Sequence, residues 1–177
     1  MKKLPIGKST LQTLIEENYV YVDKTYFAYD LIENGGGYYF LSRPRRFGKS
    51  LFLDTLRTIF EGKKELFKGL YIYDKYDWNN TYPVIHISFG GGISRSLGEL
   101  HEDIMRNLKR NEKELKITVE DISSTRGYFQ DLIIKAYEAY NQKVVILIDE
   151  YDKPILDNIE NKELATQIRD ELKSFYS

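Results

Sequence analysis

Tyr38-Tyr39-Phe40-Leu41-Ser42-Arg43-Pro44-Arg45-Arg46-Phe47-Gly48-Lys49-Ser50 decides how this chain is read. Its opening residues, from Tyr38 to Leu41, form an unbroken run of aromatic and aliphatic side chains, the pattern of a buried strand. Beyond Ser50 the period changes. Phe52, Leu53, Leu56, Ile59 and Phe60 recur at spacings of three and four, so a helix follows and Gly62 closes it. Strand and helix are joined by a short loop with three arginines and one glycine.

A loop that joins a strand to a helix and ends in Gly-Lys-Ser is the setting in which a match to G-x-x-x-x-G-K-[ST] carries meaning. Gly48 lets the backbone come close to a phosphate, and successive amides at the helix start form an anion cradle. Lys49 is expected to set its ammonium on the β- and γ-phosphates, and Ser50 to give its hydroxyl to Mg²⁺. Arg45, Arg46, Phe47, Gly48, Lys49 and Ser50 are therefore the candidate nucleotide contacts. Arg43 stands where the general pattern has its first glycine. Two alternatives stay open. One is a cationic turn that merely starts a helix; the other is a nucleic-acid contact through Arg43, Arg45 and Arg46, whose guanidinium forks suit phosphates.

A second motif lies further along. Lys143-Val144-Val145-Ile146-Leu147-Ile148-Asp149 is a continuous aliphatic run ending in an acid, as expected of a central parallel strand covered on both faces. Asp149 is the candidate for the Mg²⁺ shell opposite Ser50, so the two make the expected metal pair. Glu150, one residue on, is the candidate general base for an attacking water and, with Lys49, the expected catalytic pair. The alternative for these acids is plain helix capping. Asp152 reads either as a further acidic contact or as a partner for Lys153, the second being the simpler.

The remaining punctuation gives an α/β pattern. A short strand is expected at Tyr19-Val20-Tyr21-Val22, then a helix from Tyr26 to Glu33 with Phe27, Leu31 and Ile32 inward. Gly35-Gly36-Gly37 ends that helix. A second core strand spans Pro83 to Phe89 and stops at Gly90-Gly91-Gly92. Helices are expected over residues 96–110, 125–141 and 162–176, the middle one with Phe129, Leu132, Ile133, Ala136, Tyr137 and Tyr140 on one stripe. Strands separated by helix-length segments imply layers around a mainly parallel sheet, with ligands at the carboxyl ends of its strands.

Composition narrows the choice. The chain has 177 residues and a formal net charge of −1, so no global basic field draws it to nucleic acid or to an anionic membrane. It has no cysteine and two histidines, which excludes disulfides and thiolate metal sites and argues against a histidine-rich zinc centre. No stretch approaches the roughly 20 apolar residues of a membrane helix. A cytoplasmic protein without membrane contact is the expectation.

Leu4-Pro5-Ile6-Gly7, Tyr21-Val22-Asp23-Lys24-Thr25, residues 39–50, Phe60-Glu61-Gly62, Leu66-Phe67-Lys68-Gly69-Leu70, Tyr82-Pro83-Val84-Ile85 and Ile148-Asp149-Glu150-Tyr151-Asp152-Lys153-Pro154 occur together and in this order. In this the chain resembles the AAA-ATPase-like proteins, mostly bacterial, in which arginine is usual at the position of Arg43. The resemblance implies a P-loop NTPase three-layer sandwich, ATP and Mg²⁺ as cofactors, and ATP hydrolysis. It implies ATP over GTP, and no guanine-reading Asn-Lys-x-Asp follows Asp149. It also implies a larger protein, often with a PD-(D/E)XK nuclease-like domain at the carboxyl end. Residues 1–177 would be the amino-terminal part of a single such domain. Its sheet would be incomplete at the carboxyl end, lacking the strand expected between the phosphate-loop strand and the Asp149 strand. Turnover by the chain alone is then not expected. The resemblance also suggests that Val22-Asp23-Lys24-Thr25 lies near the base or ribose; a strand end followed by a helix cap is the alternative.

Overall fold

The computed structural model describes residues 2–35, 37–42, 44 and 46–177; Gly36 of the triple glycine and the loop arginines Arg43 and Arg45 lie outside the described residues. The chain forms two compact units, Met1–Tyr82 and Pro83–Ser177.

The first unit is helical. Helix α1 (Leu11–Glu16), α2 (Thr25–Glu33) and α3 (Lys49–Phe60) are followed by a 3₁₀ turn (Lys64–Phe67). Leu11, Leu14, Ala28, Leu56, Ile59, Phe67 and Ile72 fill its core. No side chain of its own caps the start of α1. Instead Asp54 of α3 accepts a hydrogen bond from Leu11 N at 2.6 Å, tying the two helices together. Helix α3 ends in a Schellman turn at Gly62 (φ 73°): Gly62 N donates to Ile59 O and Lys63 N to Thr58 O.

The strand expected at residues 38–42 does not form. These residues carry no ladder, and Tyr38 and Phe40 are largely exposed. Aromatic and aliphatic residues state that a segment suits a pleated surface; whether it becomes a strand depends on a neighbour to pair with. Tyr19 likewise makes only an isolated parallel bridge to Lys3. On α2 Thr25 and Ala28 are buried and Leu31 and Ile32 half-buried, so of the expected inner face Phe27 alone is exposed.

The second unit holds the parallel sheet. Strand β1 (Val84–Ser88) pairs with β2 (Val145–Asp149) in the register Val84 to Val145 through Ser88 to Asp149. Helices α4 (Leu97–Leu115), α5 (Thr125–Tyr140) and α7 (Lys162–Tyr176) pack with it, and a one-turn α6 (Lys153–Leu156) follows β2. Ile85, Ile87, Leu100, Ile104, Leu108, Phe129, Leu132, Ile168, Leu172 and Phe175 form one core cluster. Serine and asparagine side chains cap the three long helices, with Ser96, Ser124 and Asn161 accepting from Glu99 N, Gly127 N and Leu164 N. The helix from Thr125 buries Phe129, Leu132 and Ala136, but Tyr137 and Tyr140 stand outward. Strand β2 is less enclosed than its aliphatic run suggests, with Ile146 40 % exposed.

The outer edge of β1 is sealed by side chains. Asn111 Oδ1 accepts from His86 N at 2.7 Å, and Asn111 Nδ2 donates to His86 O at 2.8 Å. Asn107 repeats the pattern one pleat on, with Ser88 N at 3.0 Å and Ser88 O at 3.1 Å. Two amides one helical turn apart thus stand in for a strand. On β2 the parallel ladder turns the backbone of Ile146 and Ile148 away from β1, and among the described residues no strand lies along that edge.

The α/β class and the parallel pairing hold. The described residues form one sheet of two strands rather than a wider layered one. Among them no helix is long and apolar enough to cross a membrane.

Candidate functional site

The candidate phosphate-binding loop lies in the first unit. Gly48 is the N-cap of α3 and adopts φ 76°, ψ 28°, a left-handed conformation that glycine takes without Cβ strain. The first backbone bond of the helix runs from Phe52 N to Gly48 O at 3.0 Å. No side chain caps this end, so the amides of Lys49, Ser50 and Leu51 have no partner among the described residues. Free amides, a glycine without a Cβ and an adjacent lysine are what a phosphate group needs, and the residues present fit it. Lys49 and Ser50 are half-buried at the helix start, whereas Arg46 (φ 67°) and Phe47 are exposed on the loop before it. Phe47 N donates to Pro44 O at 3.4 Å, which rounds the loop toward Gly48.

From the segment Asp23-Lys24-Thr25, the Lys24 ammonium reaches the same loop. Asp23 Oδ1 accepts from Thr25 N at 2.8 Å and from Thr25 Oγ1 at 2.7 Å, while its Oδ2 accepts from Tyr71 N at 2.7 Å. Thr25 Oγ1 in turn accepts from Ile72 N at 3.2 Å. Asp23 and Thr25 therefore start α2 and fasten residues 71 and 72, as the helix-cap alternative has it. Lys24 does something else. A Cβ built on Gly48 would stand 4.0 Å from Lys24 Nζ.

The candidate acids Asp149 and Glu150 lie in the second unit. Strand β2 delivers Asp149 to its carboxyl end, opposite Ser88 of β1, where Asp149 is buried. Glu150 turns out of the strand with φ 52° and donates its N–H to Asp149 Oδ1 at 3.0 Å. The left-handed conformation costs a non-glycine residue about 1 kcal/mol or more. The Glu150 carboxylate rests on the glycine loop after β1. A Cβ built on Gly90 would stand 3.2 Å from Glu150 Oε2, and Gly90 N donates to Ser88 Oγ at 3.3 Å.

Behind the acids the chain is braced. Lys153 donates to Gly92 O and pairs with Asp157, and Asn158 donates to Ser94 O at 2.7 Å. The partner of Lys153 is thus Asp157, not Asp152. The reason is helical geometry: Asp157 lies four residues on, on the same face of α6, whereas adjacent residues diverge.

Among the described residues no group of three His, Asp or Glu side chains stands ready to hold a metal by itself. Ser50 by itself offers a hydroxyl and Asp149 by itself a carboxylate, each a hard oxygen donor of the kind Mg²⁺ takes. Sequence reading connected neither Gly90 with Glu150 nor Lys24 with Gly48; it set Lys24 near a base or ribose, or in a helix cap. For Gly90 the signal was the triple glycine directly after a core strand; for Lys24 it was a lysine framed by two capping residues.

A family described as "Predicted AAA-ATPase" matches residues 5–177. A protein of Azotobacter chroococcum mcd 1, named "Uncharacterized protein in vnfD 5'region", is 51 % identical over 99 % of this chain and 34 % of its own length. The chain therefore spans about a third of that relative. No solved structure gives a significant match. A family match over almost the full chain, with half the residues shared with a long relative, establishes that this chain belongs to the Predicted AAA-ATPase family.

Proposed function

We propose that the chain is the ATP-binding part of an Mg²⁺-dependent P-loop ATPase, the amino-terminal portion of one three-layer domain within a larger protein. The observation that carries the reading is the start of α3: a left-handed Gly48 followed by Lys49 and Ser50, with first-turn amides left without a cap. Those amides and the Lys49 ammonium bind the phosphates, with Arg45, Arg46 and Phe47 completing the loop. Mg²⁺, when bound, neutralises charge on the β- and γ-phosphates, and Ser50 and Asp149 are the residues that hold it. Glu150 takes the proton from the attacking water. Family membership and the strand-end position of Asp149 and Glu150 support the hydrolytic half.

The test is equilibrium binding of a fluorescent ATP analogue together with steady-state phosphate release. Lys49→Ala is expected to abolish binding. Glu150→Gln is expected to keep binding and lose turnover by roughly 100-fold or more. Tight ATP binding by Lys49→Ala would sink the assignment. Equal phosphate release by the wild type and Glu150→Gln would leave a nucleotide-binding module without turnover.

A further inference from the structure

We infer that Lys24 is a second phosphate-binding lysine, supplied by the turn before α2 and acting on the same phosphate chain as Lys49. The inference rests on the nucleotide reading of the loop and adds to it a contact from outside the loop motif.

Three observations carry it. The first is reach. Gly48 lacks a side chain, and the volume a Cβ would take is the volume through which a phosphate approaches the loop backbone. Lys24 Nζ lies 4.0 Å from that Cβ position, so its ammonium borders the space the glycine keeps open. The second is charge. Lys24 is half-buried and forms no ion pair with a described residue. The nearest carboxylate in sequence, Asp23, is already engaged by Thr25 N, Thr25 Oγ1 and Tyr71 N and is spent on structure. The ammonium is left for an incoming anion. The third is rigidity. Asp23 and Thr25 fix the backbone on both sides of Lys24 by bonds to residues 71 and 72, so the lysine stem starts from an anchored turn. An anchored cation loses less freedom on binding than one on a loose loop. A base or ribose does not match these observations as a partner for Lys24; a polyanion does.

The test compares wild type, Lys24→Ala, Lys24→Arg and Lys49→Ala in binding a fluorescent ATP analogue, with inorganic tripolyphosphate as competitor and thermal unfolding measured in parallel. Lys24→Ala is expected to weaken ATP and tripolyphosphate alike by about tenfold or more, the range of one charge-assisted hydrogen bond. Its unfolding midpoint should not move. Lys24→Arg should recover most of the affinity, and rising salt should narrow the gap between variants. If Lys24→Ala binds as the wild type while Lys49→Ala does not, Lys24 is no phosphate ligand and the loop assignment stands. A loss for ATP but not for tripolyphosphate moves Lys24 to the base or ribose and overturns the inference. A loss that accompanies a lowered midpoint and is not recovered by arginine makes Lys24 structural, which overturns it equally. Failure of the wild type to bind either ligand removes the nucleotide reading and this inference together.

Discussion

Glu150 rests its carboxylate on Gly90: a Cβ at position 90 would come within 3.2 Å of Glu150 Oε2. That separation is tighter than ordinary van der Waals contact, so even a methyl group must displace the acid. Gly90→Ala is therefore expected to move Glu150 and to lower phosphate release by roughly 10- to 100-fold while leaving ATP affinity alone, because small misplacements of a catalytic group are costly. Gly91→Ala, where a Cβ meets nothing within 4 Å, serves as the control and should match the wild type. Phosphate release and ATP titration on the two variants decide it. Equal turnover by both would show that the contact does not position the acid.

Asn111 is fully buried and bonds the edge of β1 in both directions, besides donating to Asn107 O at 2.7 Å. Replacing it with leucine takes the acceptor from His86 N and leaves His86 O with Arg110 Nη2 alone, at a partly buried strand edge. Asn111→Leu should cost about 2–4 kcal/mol in urea unfolding. Asn111→Asp keeps the acceptor for His86 N but sets a buried carboxylate oxygen against His86 O and Asn107 O, and should cost at least as much as leucine at neutral pH.

Gly62 and Gly69 both hold positive φ, 73° and 82°, but only Gly62 is crowded. A Cβ there would stand 2.6 Å from Thr81 Cγ2, whereas at Gly69 it meets nothing within 4 Å. Gly69→Ala should cost about 1 kcal/mol, the left-handed strain alone. Gly62→Ala should cost about 1–2 kcal/mol more, and pairing it with Thr81→Ser should recover part of the difference. Thermal or urea unfolding of the three variants measures the split.

Burial pushes the Glu61 carboxyl up, but its ion pairs with Lys63 and Arg57, each at 2.6 Å, outweigh that and hold it below its ordinary 4.5. A carboxylate with a lowered folded value adds stability that is present above 4.5 and is lost as pH falls through the folded value. Glu61→Gln should thus be less stable than the wild type by about 0.5–1 kcal/mol at neutral pH, with the two curves converging in acid. A pH series of unfolding midpoints checks the convergence.

Legibility from sequence followed the range of the forces involved. Helix α7 could be read to its ends because a capping asparagine and a helical apolar period are local signals. The strands at Val84 and Val145 were legible because long aliphatic runs have few alternatives. Residues 38–42 show the limit: their composition says strand, yet a strand exists only with a partner, and partners are not encoded locally. The same holds for the site. Gly48-Lys49-Ser50 and Asp149-Glu150 are local motifs at the ends of local elements. Lys24 beside Gly48 and Glu150 on Gly90 are products of tertiary packing, separated by many residues, and no spacing rule reaches them.

The two asparagines of α4 also give the sheet a direction of growth. Adding a strand beside β1 would first have to expel amides that already make four backbone bonds there. Adding one beside β2 replaces no strand pairing among the described residues and pairs the backbone of Ile146 and Ile148. Extension of this sheet, whether by the same polypeptide or in error by another, is thereby channelled to the flank that carries Asp149 and Glu150.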